Sequence, residues 1–314
     1  MRLYRFLTLL MPIALLILSS CTNSAEPSGA STTSKPTVLA TFSILADLAQ
    51  AVAGDDLNVI TLVGPGSDAH TFEPTPNDSK LLSNAQLLLE NGLGFEPWLD
   101  NLYAASGSKA TRVVVSQGIM PLPAQGQHAA NGEHAGEEFD PHIWQDVQNA
   151  IIMTRNIADA LAKIDSSKAA NYHSRAEQAI SKLEALDSYV LGKVAELPAQ
   201  KRKLVTSHDT FGYFAKRYGF TIVGTALGSV TTESNEPSAA QLAVLVEEIR
   251  AAQVKVIFAE SGNNPDLIQT IAREAAVTLG PPLFADTLSD SNGKAASYDA
   301  MMRYNVSSIV DALK

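Results

Sequence analysis

Four short stretches of the chain carry the residues best suited to chemistry. His70 closes the turn Gly64-Pro65-Gly66-Ser67-Asp68-Ala69-His70, and His142 lies in Phe139-Asp140-Pro141-His142-Ile143-Trp144. His208 follows in Ser207-His208-Asp209, and Asp286 in Ala285-Asp286-Thr287. Imidazole nitrogen and carboxylate oxygen are ligands for a divalent first-row metal. Taken alone, each residue also fits a plain role. His70 suits an exposed turn, and His142 a helix start with Asp140 as its cap. His208 suits a structural position with Asp209 capping the next helix, and Asp286 suits a turn cap. Their joint placement is the stronger signal. Three of them follow predicted strands, where ligand loops of open α/β sheets sit. Two come from each half of the chain, so a cleft between the halves would collect all four around one ion.

Three further features belong to this list. Glu260 ends a predicted strand and could be a fifth oxygen ligand, an acceptor that orients a ligand imidazole, or a capping carboxylate. The loop 125–138 holds His128, His134, Glu133, Glu137 and Glu138, which read either as an accessory metal loop or as a plain acidic loop. His173 lies on a predicted helix and reads as a surface residue.

The elements that must position these residues alternate. Strands are predicted over 37–41, 57–63, 85–90 and 112–116, with helices over 77–83 and 95–103 and a first helix that Ser43 caps, carried by Ile44, Leu45, Leu48, Ala49 and Val52 and stopped by Gly54. A helix follows 144, carried by Val147, Ala150, Ile151, Thr154, Ile157, Ala158 and Leu161. Residues 167–197 form one long helical pattern, with Tyr172, Ala176, Ile180, Leu183, Leu186, Val190 and Val194 at three- and four-residue steps. A break near Gly192 is the alternative. A second series follows, with strands over 203–207, 220–223, 254–259 and 282–285 and helices over 210–218, 238–252, 265–278 and 297–313. The expected fold is α/β. It has two lobes, each a mainly parallel four-stranded sheet flanked by helices, joined by one long rigid helix. The lobes are assigned to 37–165 and 198–314, with the linking helix at 166–197.

The chain has 314 residues, 23 Lys and Arg against 33 Asp and Glu, and a formal net charge of -10. No basic face of the kind that nucleic acid requires is visible, so a nucleic-acid partner is not expected. At the N-terminus Arg2 and Arg5 precede an apolar run from 7 to 18, an export-signal pattern. Twelve helical residues reach about 18 Å, short of a hydrocarbon core of roughly 30 Å. Leu18-Ser19-Ser20-Cys21 resembles a bacterial lipobox, which would make 1–21 a signal peptide and Cys21 the lipidated first mature residue. Cys21 is the single cysteine, so the folded part has no thiolate for metal or disulfide. Residues 22–36 are rich in Ser, Thr, Gly and Pro and read as a flexible tether.

Longer stretches carry a family resemblance. They are Ser67-Asp68-Ala69-His70-Thr71-Phe72-Glu73-Pro74-Thr75-Pro76, Asp140-Pro141-His142-Ile143-Trp144, and Ser207-His208-Asp209-Thr210-Phe211-Gly212-Tyr213-Phe214 with Tyr218-Gly219. Glu236-Pro237-Ser238 and Ala285-Asp286-Thr287-Leu288 continue the series. In order and spacing, from about Pro36 to the C-terminus, the chain resembles the substrate-binding lipoproteins of bacterial zinc and manganese ABC transporters. The resemblance implies two α/β lobes joined by a rigid helix, with one metal held between His70 and His142 of the first lobe and His208 and Asp286 of the second. It implies an ABC-transporter permease as partner, a lipid anchor at the membrane through Cys21, an extracytoplasmic or periplasmic location, and a monomer. Manganese-type relatives tend to carry Glu where this chain has His208. Three imidazoles and one carboxylate suit Zn²⁺, with Mn²⁺ as the alternative and iron behind it.

Two other classes were weighed. A zinc-dependent hydrolase would hold three histidines and a metal-bound water, but the chain has no His-Glu-x-x-His motif and no general base beyond Glu260. A cell-adhesion role is compatible with a lipid-tethered surface protein. A chelated cargo such as haem or cobalamin would need a broad apolar cleft rather than point ligands. With a rigid linking helix, metal release is expected through small shifts of loops and lobe tilt.

Overall fold

The computed structural model describes residues 35–124, 139–232 and 237–314. The signal peptide, Cys21, nearly all of the tether, the loop with His128 and His134, and Glu236 lie outside the described residues.

The first half winds β1 (Thr37–Phe42), α1 (Ser43–Ala53), β2 (Asn58–Val63), α2 (Pro76–Asn84), β3 (Leu87–Glu90), α3 (Leu99–Ser106) and β4 (Thr111–Val114). All pairs are parallel, in the order β2-β1-β3-β4. The central strand β3 is buried along its whole length, as expected of a parallel strand covered on both faces. The predicted helix at 95–103 starts later, at Leu99, because Gly92, Leu93 and Gly94 all take positive φ and hold the chain in a turn. The chain then passes through α4 (Val147–Ile164) into α5 (Ala169–Ala195).

At 27 residues, α5 is about 40 Å long. It runs through Gly192 without a break. The predicted stripe, Tyr172 to Val194, is its buried side, and it packs on α4, α1 and α9 (Tyr298–Leu313). One polar residue interrupts the stripe. Asp187 is buried and accepts from Tyr218 Oη at 3.0 Å and Gln148 Nε2 at 3.0 Å, with Arg217 Nη2 also close. This joins α4, α5 and α6 (Gly212–Tyr218) at one point.

The second half holds β5 (Lys203–Thr206), β6 (Thr221–Thr225), α7 (Ala239–Ala251), β7 (Val256–Ile257), α8 (Asp266–Ala275) and β8 (Thr278–Leu279). β5 pairs with β6 and β7 with β8, both in parallel. The amide of Phe258 donates to Val205 O at 2.9 Å and joins the two pairs. The lateral order is thus β6-β5-β7-β8, the order of the first sheet again. One correction concerns the last strand, predicted at 282–285. The strand is at Thr278–Leu279, and further on only Leu283 makes an isolated bridge, to Glu260. Pro281 and Pro282 offer no amide donors, so the ladder cannot continue through them.

A second correction concerns Ser43. It is the first residue of α1, with Phe42 at the cap position and no side-chain cap bond. Its Oγ instead accepts from the amide of Leu288 at 3.0 Å, a partner 245 positions away. One apolar core runs from the first sheet through α5 to α6 and α9, and a smaller core lies under α7 and α8.

Candidate metal centre

Each of the four predicted residues is set by its own local device. His70 follows β2, and its amide donates to Asp68 Oδ1 at 2.8 Å. The loop ahead of it is pinned by Trp98, whose indole donates to Ala69 O at 2.7 Å. His142 precedes a single 3₁₀ turn, Ile143–Gln145. Asp140 is not its cap: His142 holds that position without a side-chain cap bond, and Asp146 caps α4. One Asp140 oxygen, Oδ1, accepts from the His142 amide at 2.9 Å and lies 2.8 Å from His142 Nδ1. His208 follows β5. Glu260 Oε1 accepts the amides of Ser207 and His208 at 3.0 and 3.1 Å, and Oε2 sits against His208 Nδ1. Asp286 follows Ala285, whose carbonyl accepts from Trp144 Nε1 at 2.9 Å and Gln145 Nε2 at 3.0 Å. Thr210 Oγ1 donates to Asp286 Oδ1 at 3.2 Å.

These devices bring the four residues to one point. His142 Nε2 is 3.3 Å from both His70 Nε2 and His208 Nε2. Asp286 Oδ2 is 3.0 Å from His208 Nε2 and 3.7 Å from His70 Nε2, and Oδ1 is 3.6 Å from His142 Nε2. One ligand atom from each residue falls within a span of 4.8 Å, and all four residues are buried. Among the described residues this is the one such grouping. A tetrahedron with metal–ligand bonds of 2.0–2.1 Å has edges of about 3.3 Å, which is the distance from His142 Nε2 to each of the other two nitrogens. Behind the rings stands an aromatic wall. Phe42, Phe95 and Trp144 meet at centroid distances of 4.8 Å, and Phe95 sets its edge 4.8 Å from His70.

The other candidates fall elsewhere. Glu260 lies behind the His208 ring, on the Nδ1 side, with both oxygens engaged, so it is not among the converging atoms. His173 is on α5 with its side chain half exposed, near Asp159. Sequence reasoning gave Asp140 and Asp209 only capping roles and gave Thr210 none. The Asp-x-His spacing at 140–142 was the available signal for the first. Asp209 is buried, and burial with Asp140 nearby pushes its carboxyl up to about 6.

Burial and charge act differently on the imidazoles. Burial pulls His70 down to about 3, and the nearby Asp286 carboxylate does not make up the loss. Burial would lower His208 too, but Glu260 and Asp286 on either side outweigh it and raise His208 well above the ordinary range. Burial opposes ionisation of Asp286, yet the imidazoles of His208, His142 and His70 hold it well below the usual carboxylate range. In the cation-free protein the His208 ring therefore carries a proton between two carboxylates. Metal must displace that proton from Nε2, while Nδ1–H stays on Glu260.

Two α/β lobes with buried donor atoms converging between them define a solute-binding protein with a small cationic solute. The chain belongs to the family described as zinc-uptake complex component A, periplasmic, whose family model matches residues 38–312. It is 32% identical over 315 residues to the manganese ABC transporter substrate-binding lipoprotein scaA of Streptococcus gordonii, with 98% of each chain covered. It is 32% identical over 285 residues to the iron-binding protein YfeA of Yersinia pestis, covering 91% of this chain and 88% of that one. Among solved structures it is similar to the periplasmic zinc binding protein TroA from Treponema pallidum. That match has 30% identity and a TM-score of 0.78 and covers 89% of this chain and 99% of the other. The protein is an extracytoplasmic metal-binding component of an ABC transporter and not an enzyme. The hydrolase alternative is thereby set aside.

Proposed function

We propose that the protein captures a single Zn²⁺ through His70, His142, His208 and Asp286 and delivers it to an ABC permease for import. The observation that carries this reading is the donor set. Three imidazole nitrogens, the middle one 3.3 Å from each of the others, with one carboxylate, match the nitrogen-rich, four-coordinate preference of zinc, whereas Mn²⁺ favours more oxygen. The relatives' names span manganese, iron and zinc, so the ion is argued from these donors. Mn²⁺ is the alternative cargo by the same mechanism. Asp140 and Glu260 orient His142 and His208 by accepting hydrogen bonds from Nδ1–H, which aims both Nε2 lone pairs inward. Lipidation at Cys21, with the following residues as tether, would keep the folded body at the membrane beside the permease, acting as a monomer.

The test is metal content of the purified protein, followed by competition between the two ions at known free concentrations. Zinc should displace manganese fully at equal free ion; displacement of zinc by manganese would transfer the reading to the alternative.

Zinc binding should also release close to one proton near neutral pH. The sign follows from His208. Its proton is bound below its raised pKa and competes with metal there, so affinity rises with pH through neutrality and falls as pH drops. His70, already neutral at pH well above 3, adds nothing to the slope in this range. Calorimetry in buffers of different ionisation enthalpy measures the proton count. A count near zero at pH 7 would remove the imidazolium from the account.

A further inference from the structure

We infer that the first lobe holds Asp286, although this residue follows the strands of the second. On this assignment His70, His142 and Asp286 form one fixed three-donor cradle, and His208 is the donor that parts from it on release. The inference rests on the metal-site reading above and adds which side of the site moves.

The bonding around residues 285–288 carries it. The Ala285 carbonyl is held by Trp144 and Gln145 of the first lobe. The Gly66 amide, on the loop that leads to His70, donates to Thr287 Oγ1 at 2.8 Å and to Leu288 O at 3.0 Å. The Leu288 amide donates to Ser43 Oγ at 3.0 Å. Further on, the Tyr298 amide donates to Asp47 Oδ2 at 2.9 Å, and Tyr298 Oη donates to Trp144 O at 2.6 Å. Ala285, Thr287 and Leu288 are all buried. Parting this segment from the first lobe would leave several buried polar groups without partners at once, the costliest way to break a hydrogen bond.

The bonding changes hands within two residues. Leu283 still belongs to the second sheet: its amide donates to Ala259 O at 2.9 Å, and its carbonyl accepts from Ser261 N at 2.7 Å. Phe284 is gripped on both sides by Asn305 of α9, through its amide at 3.0 Å and its carbonyl at 2.6 Å. The Ala285 carbonyl and the Leu288 amide and carbonyl then bond to the first lobe. Thr210, which touches Asp286 Oδ1, leads into α6, and Tyr213 of that helix donates to Asp140 O at 2.9 Å. That contact too faces the first lobe.

His208 is bonded the other way. Its amide and Nδ1 go to Glu260, and its carbonyl accepts from Thr206 Oγ1 at 2.9 Å. The neighbouring amides are held by the same half: Leu227 N donates to Ser207 O, and Asp209 N to Ser229 O. Its ring meets the cradle through Nε2, beside His142 and Asp286, and its carbonyl accepts from the Thr210 amide at 3.1 Å, the only backbone link of His208 toward Asp286 among the described bonds. Removing the cation therefore loosens the 207–208 loop, its amide bonds to Glu260 included, and leaves the other three donors in place.

Amide hydrogen exchange, read by mass spectrometry on the full chain loaded with Zn²⁺ and then stripped with a chelator, tests this. Exchange at Ser207 and His208 should speed up by about tenfold or more on stripping, while the Leu288 amide changes by less than about twofold. Equal acceleration at both places, or none at His208, overturns the inference. Thr287→Val, which removes the shorter of the two acceptors of the Gly66 amide, should raise the zinc dissociation rate by about tenfold, and Thr287→Ser should restore it. An unchanged rate in Thr287→Val would also overturn it. His142→Ala is the control: if that variant kept full zinc affinity, the metal site itself would be refuted, a different failure from that of the cradle.

Discussion

His142→Ala should weaken zinc binding by on the order of a hundredfold or more, with the fold retained. Structural zinc sites bind with about 10–16 kcal/mol from four ligands, so one donor accounts for roughly 3 kcal/mol, which is about two decades of affinity. His142 is the most exacting choice among the four. Its Nε2 is the one nitrogen within 3.3 Å of both other imidazoles, so its loss opens the middle of the cluster rather than an edge. The change also removes the ring partner of Asp140, which is buried and keeps the backbone amide of 142. The lost ring bond adds to the cost in both the loaded and the free protein, and that part cancels in the affinity. Titration against a chelator of known strength gives the number, and circular dichroism shows whether the fold is kept. Affinity within a few-fold of the parent would mean that the cation is held elsewhere.

The second large effect concerns the choice of ion. His208→Glu replaces a nitrogen donor by oxygen and should shift the zinc-to-manganese affinity ratio toward manganese by about tenfold or more, because Mn²⁺ is the harder ion. The structure adds a condition. The residue behind His208 is Glu260, whose carboxylate already accepts the amides of 207 and 208. A new carboxylate would face it at close range in a buried setting, where like charges repel strongly. The single variant should therefore lose affinity for both ions while its preference moves. Adding Glu260→Gln removes one charge and should recover absolute affinity for manganese with the shifted ranking kept. A competition titration on the two variants reads both quantities. If the ranking stays with zinc in both, the nitrogen at position 208 does not set the preference.

Three of the four converging residues were legible because parallel α/β sheets put the loops after their strands on one side; His142 follows no strand and was legible from its Asp-Pro-His-Ile-Trp stretch. The long helix was legible from its stripe, Tyr172 through Val194, at unbroken helical spacing. What stayed hidden was mostly the work of contacts between distant residues. Nothing local at Ser43 announces a bond to Leu288, and the choice among ligand, imidazole-orienting acceptor and cap at Glu260 is made only when the fold sets it against His208 and the amides of 207 and 208. Asp140 read as a cap and hid the bond that aims His142. The strand expected at 282–285 had a different cause. The apolar run looked β-prone, and the two prolines at its start, which forbid the ladder, were given too little weight.

The aromatic wall behind the imidazoles has a practical consequence. The chain has two tryptophans, and both abut the candidate centre. Trp98 pins the loop that carries His70, and the Trp144 ring lies 5.5 Å from that of His142 while its indole holds the carbonyl next to Asp286. All of the protein's indole emission thus originates within reach of the donors. Arrival or departure of an ion can be followed by intrinsic fluorescence, with no label attached.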